Sequence, residues 1–398
     1  MFKELYNKIK DGVMQMMHIT CNELSTIFHD SGVMIIFFAA SLLYPVLYSF
    51  VYMYETVREV PIGIVDHSNS EMSRRFIRKV DATPDLKVVS FPVSSEDAQQ
   101  KFQKREIFGF MVIPSDFSDK IAKGEQASVL VFANMSSLMY YKVMYVAGNY
   151  ACIDLGREIQ SERLGMVGVV GKRFDAVINA VPHEGHSLYN SKNGFSSYLL
   201  PPVLVLIIQQ TLLIGIGILV GTTREENLFH RLIPLQKKYH GTLRIVLGKA
   251  NAYLLLYVFI ASFVLLFVPY AFNFPQLLSP STFYAFLFPY LLACIFFGMT
   301  VSVFFRNREM PFLLLVFTSL LFLFLSGYAW PTSNIHPVWR AISMLIPSTP
   351  GVQAFLKINS MGASLKQIAP EYFTMLVQMG VYFITACLVY RWQIIRNK

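Results

Sequence analysis

The sequence has little charge. Only 15% of its 398 residues are Asp, Glu, Lys or Arg, and 54% are apolar. An average soluble domain carries about 25% charged residues. The mean hydropathy of +0.46 also lies on the apolar side. This composition is not that of an ordinary soluble globular protein, and it indicates that lipid is the solvent for much of the chain.

Charge is absent altogether from six long apolar stretches. A helix that crosses the hydrocarbon core, about 30 Å thick, needs roughly 20 such residues. The first stretch is also longer than the apolar region of a cleavable signal peptide. We therefore predict six transmembrane helices, at Val33 to Tyr54, Phe195 to Gly221, Ala250 to Phe272, Thr282 to Phe305, Met310 to Trp330 and Tyr372 to Tyr390.

The net charge of +9 lies outside the segment that joins the first two stretches. Residues 55–194 hold 17 of the 34 basic and 17 of the 25 acidic residues, so this segment is neutral. Most of the remaining basic residues fall in the amino-terminal arm, the loop after stretch two, the turn after stretch four and the tail. Because Lys and Arg are retained on the cytoplasmic side, both termini should be cytoplasmic. This bias also explains the pI near 9.2 without nucleic acid as a partner.

The domain organisation follows from this pattern. We expect a cytoplasmic or interfacial amphipathic helix over 1–31, with a solvated helix packed on the bundle as the alternative. A first transmembrane helix over 32–54, an extracytoplasmic domain over 55–194 and transmembrane helices two to six over 195–398 follow. The last region includes a cytoplasmic coupling loop at 222–246 and a proline-rich outer segment at 331–370 that resembles a re-entrant segment.

Apolar runs and amphipathic patterns alternate in residues 55–194. A strand pattern at Val60 to Val65 precedes a helix that Asn69 or Ser70 could cap, and further strand and helix patterns follow as far as Phe132. A long helical pattern then runs from Ser136 to about Gly165. Such alternation is typical of βαβ units on a mixed sheet. The predicted fold is therefore a six-helix membrane protein with an inserted α/β domain.

Catalytic and metal-binding patterns are missing. The nearest approach to a phosphate-binding loop, Gly168 to Arg173, lacks the first glycine and the Ser or Thr that would hold Mg²⁺. Only one of the four cysteines, Cys152, lies in the outer domain, which excludes a disulfide there within one chain. His183 and His186 flank Glu184, but a solvated loop explains them better than a metal site. We predict no catalytic residue, no metal and no cofactor in this chain.

Ionisable residues are also missing from the six stretches, which argues against transport driven by protons or ions. Four amides within or beside the stretches could line a translocation pathway, although helix packing explains them at least as well. These residues are Gln209, Gln210, Asn251 and Gln378.

The loop after stretch two carries the most specific pattern. Thr222 or Thr223 could cap a short helix with two glutamates in its first turn, where the helix dipole favours acidic residues. Apolar residues that follow would share one face and enter a groove of a partner. Contact with lipid headgroups is the alternative. The residues concerned are Arg224, Glu225, Glu226, Leu228, Phe229, Leu232 and Pro234.

Several short motifs resemble the permease subunit of bacterial ABC-2 type exporters with a large extracytoplasmic domain. Leu247-Gly248-Lys249 is similar to the element that opens the third span in that family, and Val65-Asp66 with Asn69-Ser70 to the beginning of its outer domain. The end of that domain and the last outer segment also resemble the family, at Leu188-Tyr189-Asn190, Pro201, Leu325-Ser326-Gly327, Pro331, Pro347 and Pro350. The chain departs from the family in the coupling helix, where Asn227-Leu228 replaces the usual Gly-Thr.

The resemblance implies a function and partners. Two permeases, identical or paralogous, would form the pathway, and separate ABC ATPase subunits would bind ATP and Mg²⁺ and contact the loop after span two. An amphipathic substrate such as a drug or lipid would leave the cytoplasm or inner membrane of a bacterial cell. A periplasmic adaptor is a further partner for the outer domain. The alternative is a non-transporting envelope sensor or receptor that displays its outer domain on a six-span anchor.

Overall fold

The structure is a computed structural model that describes residues 2–168, 188–190, 194–228 and 241–396. The chain divides into two compact units. The first comprises Met1–Glu55 and Ser187–Lys398, and the second comprises Thr56–His186.

The first unit is helical throughout its described residues. Its helices before the second unit are α1 (Phe2–His29) and α2 (Ser31–Val51). The helices after the second unit are numbered from α7, because α3 to α6 lie in the second unit. The latter helices are α7 (Phe195–Glu225), α8 (Gly241–Ala271), α9 (Pro280–Val301), α10 (Met310–Leu325), α11 (Pro337–Ser343), α12 (Ser348–Met361) and α13 (Ala369–Arg396).

Five of these helices are long and apolar enough to cross a membrane: α2, α7, α8, α9 with the turn that continues it to Phe304, and α13. Five of the six predicted spans are thereby confirmed as apolar helices of sufficient length. The predicted fifth span, Met310 to Trp330, contains the shorter helix α10, whose 16 residues rise about 24 Å. Membrane crossing by this predicted fifth span therefore stays a prediction.

Helix α7 is the central helix of the first unit. Most of its apolar window is buried inside the unit, whereas less than a third of the corresponding windows of α2 and α13 is buried. Around it, large rings fill the core, including Phe37, Tyr257 and Tyr290. At Gly215 the rings approach so closely that a Cβ atom would lie 1.8 Å from Phe37 Cε1. Glycine is therefore required where α2 meets α7.

Helix α1 packs along the beginning of α8. Thr20 Oγ1 donates a hydrogen bond to the Gly248 carbonyl at 2.9 Å. Glycine at position 248 lets the helices approach, because a Cβ atom there would lie 2.8 Å from Ile19 Cβ. This contact fixes α1 against α8, and the interfacial or solvated placement of residues 1–31 stays a prediction.

The outer segment predicted at 331–370 forms the helices α11 and α12. Helix α12 is largely buried and contacts α7, α9 and α13. Two prolines of this segment, Pro337 and Pro350, lie in the first turns of α11 and α12. In the first turn a proline costs no hydrogen bond, because the N–H groups there have no partner within the helix.

The described residues of the second unit, 56–168, form a four-stranded sheet covered by helices. Its elements in order are β1 (Val60–Asp66), α3 (Glu71–Asp81), β2 (Leu86–Ser90), α4 (Ser95–Gln103), β3 (Gly109–Ile113), α5 (Phe117–Lys123), β4 (Leu130–Ala133) and α6 (Leu138–Met166). The strand predicted at Val60 to Val65 and the helix predicted from Ser136 to about Gly165 end within two residues of β1 and α6.

The sheet has the order β2-β1-β3-β4. Strand β1 pairs in parallel with β2 and β3, and β4 is antiparallel to β3. Helices α3, α5 and α6 cover one face, where Phe76 and Met144 pack against Ile64. Helix α4 covers the other face, where Ala98 packs near Val65. Successive residues of β1 thus enter opposite cores, as the two-residue period of a strand requires.

The loop after β1 is fixed by its own side chains. Asp66 Oδ1 accepts hydrogen bonds from the N–H groups of Ser68 and Asn69, each at 3.0 Å. Ser70 and Ser73 form a capping box at the start of α3, since each hydroxyl accepts the other's N–H group. The predicted cap at Ser70 is confirmed.

Candidate functional site

The spanning helix α7 continues through the beginning of the predicted coupling loop. Thr223 Oγ1 donates to the Leu219 carbonyl at 2.6 Å, so its hydroxyl bonds back along α7. The predicted cap at Thr222 or Thr223 is therefore wrong, and Glu225 is the last residue of α7 rather than the first turn of a new helix. Helix α8 begins at Gly241, so the predicted loop 222–246 is helical at both ends.

Arg224 joins the end of α7 to the end of α9. Its Nη1 donates to the carbonyl of Phe305 at 2.7 Å and to that of Val303 at 3.3 Å. Carbonyl groups at a helix end lack partners within the helix, and a cation there also complements the helix dipole. One guanidinium group therefore binds α7 to the turn between α9 and α10.

Glu225 contacts the same turn. Its Oε1 accepts a hydrogen bond from the Arg308 N–H group at 3.2 Å. Gly221 lies one turn earlier in α7, and a Cβ atom there would be 2.7 Å from the Asn307 carbonyl oxygen. The end of α7 and the turn at 302–310 are therefore in direct backbone contact.

Arg308 extends these contacts to the start of α2. Its Nη2 donates to Asp30 Oδ1 at 2.5 Å. The same carboxylate oxygen accepts the N–H groups of Gly32 and Val33, at 2.9 and 3.1 Å, and so caps α2. We call Asp30, Arg224, Glu225 and Arg308 the basal cluster. It connects the start of α2, the end of α7 and the turn between α9 and α10.

Of the predicted coupling residues, the structure brings Arg224 and Glu225 into the basal cluster. Glu226 is exposed just beyond α7, and Leu228 is half-buried. Phe229, Leu232 and Pro234 lie outside the described residues, as do His183, Glu184 and His186. Among the described residues, no group of His, Cys, Asp or Glu could hold a metal ion.

Sequence reasoning did not single out Asp30 or Arg308. The signal for Asp30 was present, because an aspartate directly precedes the first charge-free stretch, where N-cap residues are expected. Arg308 was counted only as a cytoplasmic charge. Its contact with Asp30 joins residues 278 positions apart in the sequence, and no local pattern predicts it.

Two of the four predicted pathway residues, Gln209 and Gln378, bind backbone groups of the same segment. Gln209 is 1% exposed, and its Oε1 accepts a hydrogen bond from the Ser348 N–H group at 2.6 Å. This N–H group in the first turn of α12 thereby gains a hydrogen-bond partner. Gln378 Nε2 donates to the Met344 carbonyl, just after α11, at 2.7 Å. Both amides thus hold the segment between α11 and α12, which favours the packing interpretation for them.

The other two amides behave differently. Gln210 is 6% exposed, and neither its oxygen nor its nitrogen has a hydrogen-bond partner within the part of the chain that the structure describes. Asn251 is half-buried on α8. A buried amide without a partner is costly, and among the described residues Gln210 lacks the packing hydrogen bonds that Gln209 and Gln378 form.

Comparison with known proteins identifies the family. A search of curated proteins found no match to the chain. The family model described as ABC-2 family transporter protein matches residues 31–388, which include the whole second unit and most of the first. Together with five apolar helices long enough to cross a membrane, this match shows that the chain is a membrane protein of the ABC-2 transporter family.

Proposed function

We propose that this chain is the permease subunit of an ABC exporter and forms the translocation pathway together with a second permease. Separate ABC ATPase subunits would bind ATP and Mg²⁺. The cargo would be an amphipathic molecule, such as a drug or lipid, that leaves the cytoplasm or the inner membrane. The family match supports a transporter, and the charge-free spans favour ATP over an ion gradient as the energy source.

The single observation that carries the coupling proposal is the contact of Glu225 with the Arg308 N–H group. The proposed ATPase contact, from Arg224 to Pro234, begins at the basal cluster. A displacement of this contact by ATPase closure would therefore act on α7, on the turn between α9 and α10, and through Arg308 and Asp30 on α2. Packed helices transmit such displacements because they have few alternative arrangements.

We propose that both termini are cytoplasmic and that the second unit is extracytoplasmic. This orientation requires six spans in all, so α10 would cross the membrane as the fifth of them. The exposed arginines beside the basal cluster and in the tail support it by the positive-inside rule. Helix α1 would lie at the lipid surface, because Val13, Met17 and Phe28 form an exposed apolar stripe beside the face packed on α8. A periplasmic adaptor would be a further partner of the second unit.

Substitutions in the proposed contact test the coupling. Glu226→Ala with Phe229→Ala should reduce substrate-stimulated ATP hydrolysis of the reconstituted permease and ATPase by about tenfold or more, because interface anchors commonly contribute 2 kcal/mol or more. The matched control is Glu106→Ala with Phe373→Ala, two exposed residues outside the contact. Unchanged assembly and hydrolysis in the test variant would overturn the contact assignment while leaving the family assignment intact.

A further inference from the structure

A crevice opens in the second unit where β1 and β2 end. These two strands are adjacent and parallel. The connection from β1 enters α3 on one face of the sheet, and the connection from β2 leads to α4 on the other face. Diverging connections of this kind leave a cleft at the carboxyl ends of the strands, and open α/β sheets bind their ligands there.

The crevice has the size of a small-molecule site. Its volume is about 770 Å³, within the range of roughly 300–1,000 Å³ that is usual for ligand pockets. The loop after β1 contributes His67, helix α3 contributes Arg74 and Arg78, and the chain after β2 contributes Phe91 and Val93.

Two basic pairs on α3 differ in their surroundings. Arg75 and Lys79 face α6, where Arg75 Nη1 lies 2.8 Å from a Glu162 oxygen and Lys79 Nζ lies 2.7 Å from one of Glu158. The hydrogen bond to Glu162 raises the pKa of Arg75. Hydrogen bonds to Asp154 and Glu158 raise the pKa of Lys79. This pair is therefore neutralised within the unit.

Arg74 and Arg78 lie on the neighbouring stripe of α3 and line the crevice, and Arg78 also lines a second cavity that Asp154 and Glu158 border. No ion pair joins either of them to a carboxylate of the described residues, and Arg74 donates only to the Asn69 carbonyl, at 3.1 Å. Asp66 also lines the crevice, but two N–H groups and the Ser73 hydroxyl, at 2.6 Å, bind its carboxylate within the loop. Like charges four residues apart on a helix repel each other, so an anion between the two guanidinium groups would remove this repulsion.

Apolar side chains lie exposed beside the two arginines. Phe91 is 63% exposed and Val93 is 86% exposed, although both follow a strand that belongs to the sheet. Their burial would be favourable by about 25 cal/mol per Å² of apolar surface. The crevice therefore offers a cationic end and an apolar wall to one ligand.

We propose that this crevice binds an anionic amphiphile. The carboxylate or phosphate head would lie between Arg74 and Arg78, since guanidinium groups form paired hydrogen bonds with such anions. The apolar tail would cover Phe91 and Val93. This inference depends on the second unit alone and not on coupling to an ATPase, so either proposal can fail without the other.

Calorimetric titration of the full chain in phosphatidylcholine nanodiscs tests the proposal, with empty nanodiscs titrated in parallel. The probes are octyl phosphate for head and tail, inorganic phosphate for the head alone and octyl glucoside for the tail alone. Saturable binding of octyl phosphate, tighter than that of either other probe, is expected. Arg74→Gln with Arg78→Gln should weaken octyl phosphate binding by about tenfold or more, the loss of a charge-assisted contact.

Three further variants make the result specific. Lys101→Gln with Lys104→Gln changes the charge equally on α4, outside the crevice, and should bind as the wild type does. Arg74→Lys with Arg78→Lys keeps the charge and should bind more tightly than the glutamine variant. Phe91→Ser with Val93→Ser should weaken octyl phosphate binding and leave the affinity for inorganic phosphate unchanged.

Three results would overturn the proposal. They are the absence of saturable octyl phosphate binding, equal binding of octyl glucoside, and equal loss in the Arg74/Arg78 and Lys101/Lys104 variants, which would indicate nonspecific attraction. If inorganic phosphate bound with the same affinity as octyl phosphate, the ligand would be a free anion and the apolar part of the proposal would be wrong.

Discussion

Lys249 Nζ donates a hydrogen bond to Glu23 Oε2 at 2.6 Å, and this ion pair fastens α1 to α8. Glu23 is 6% exposed, and its other oxygen accepts a hydrogen bond from the buried Tyr253 hydroxyl. The resemblance to the family drew attention to Lys249 as part of Leu247-Gly248-Lys249. In the structure its partner is a residue of the amino-terminal helix.

Breaking this pair should destabilise the first unit. Lys249→Met leaves the Glu23 carboxylate buried without its cation, and such a change costs about 3–5 kcal/mol. The double variant Glu23→Gln with Lys249→Met removes both charges and should recover most of the loss. Thermal unfolding of the purified protein, followed by size-exclusion chromatography, measures both. A single variant as stable as the wild type would show that the pair contributes nothing.

Adjacent glutamines on α7 should respond in opposite ways to substitution by leucine. Gln209→Leu leaves the Ser348 N–H group without its acceptor, which costs about 1–3 kcal/mol. Gln210→Leu removes an amide that has no partner among the described residues and should be neutral or stabilising. The same unfolding assay measures the difference. Equal losses in the two variants would contradict the role of Gln209 at the start of α12.

Gln210→Leu also tests the pathway prediction. If this amide contacts the cargo, the variant should fold normally but transport more slowly, which a vesicle export assay would measure against Gln209→Leu. Normal transport by a stable Gln210→Leu variant would remove Gln210 from the pathway.

Gly215→Ala should destabilise the contact between α2 and α7. The added methyl group would overlap the Phe37 ring, and overpacking of a core commonly costs about 1–3 kcal/mol. The matched control is Gly380→Ala on α13, where a Cβ atom would meet nothing within 4 Å. Alanine also favours helix over glycine by about 1 kcal/mol, so Gly380→Ala should unfold no earlier than the wild type. The opposite order would contradict the packing of Phe37 on α7.

Two exposed cysteines report the orientation of the chain. Cys21 lies on α1 and Cys152 lies on α6 of the second unit. In intact cells with a permeable outer envelope, a membrane-impermeant maleimide should label Cys152 and spare Cys21, with Cys152→Ser and Cys21→Ser as controls. Cys152 is exposed to a labelling reagent, but neighbouring side chains partly desolvate its thiol and raise the thiol pKa, so labelling should accelerate from neutral to mildly alkaline pH as the thiolate forms. Labelling of Cys21 alone would reverse the proposed orientation.

Local signals predicted most of the elements. The cap at Ser70 and the strand at Val60 to Asp66 depend on residues close together in sequence, so the pattern sufficed. The same kind of signal failed at Thr222 and Thr223. There Arg224 binds carbonyl groups some 80 positions away, and these contacts hold the end of a helix that continues through both threonines.

The remaining features depend on contacts between residues far apart in the sequence. The crevice beside Arg74 and Arg78 exists because β2 pairs with β1 while their connections pass to opposite faces, and the sequence predicts the strands but not their order. Gln209 and Gln378 were found by their polarity within apolar helices. Their shared contact with the segment between α11 and α12 required the structure.

The central claim is that the chain is a permease coupled to a separate ATPase. The most direct measurement is purification of the tagged chain from its native membrane in mild detergent, followed by mass spectrometry of the proteins that remain bound. We expect a stoichiometric ATPase with a phosphate-binding loop, together with any second permease. An intact, monodisperse chain without an ATPase would contradict the claim and favour a sensor or receptor.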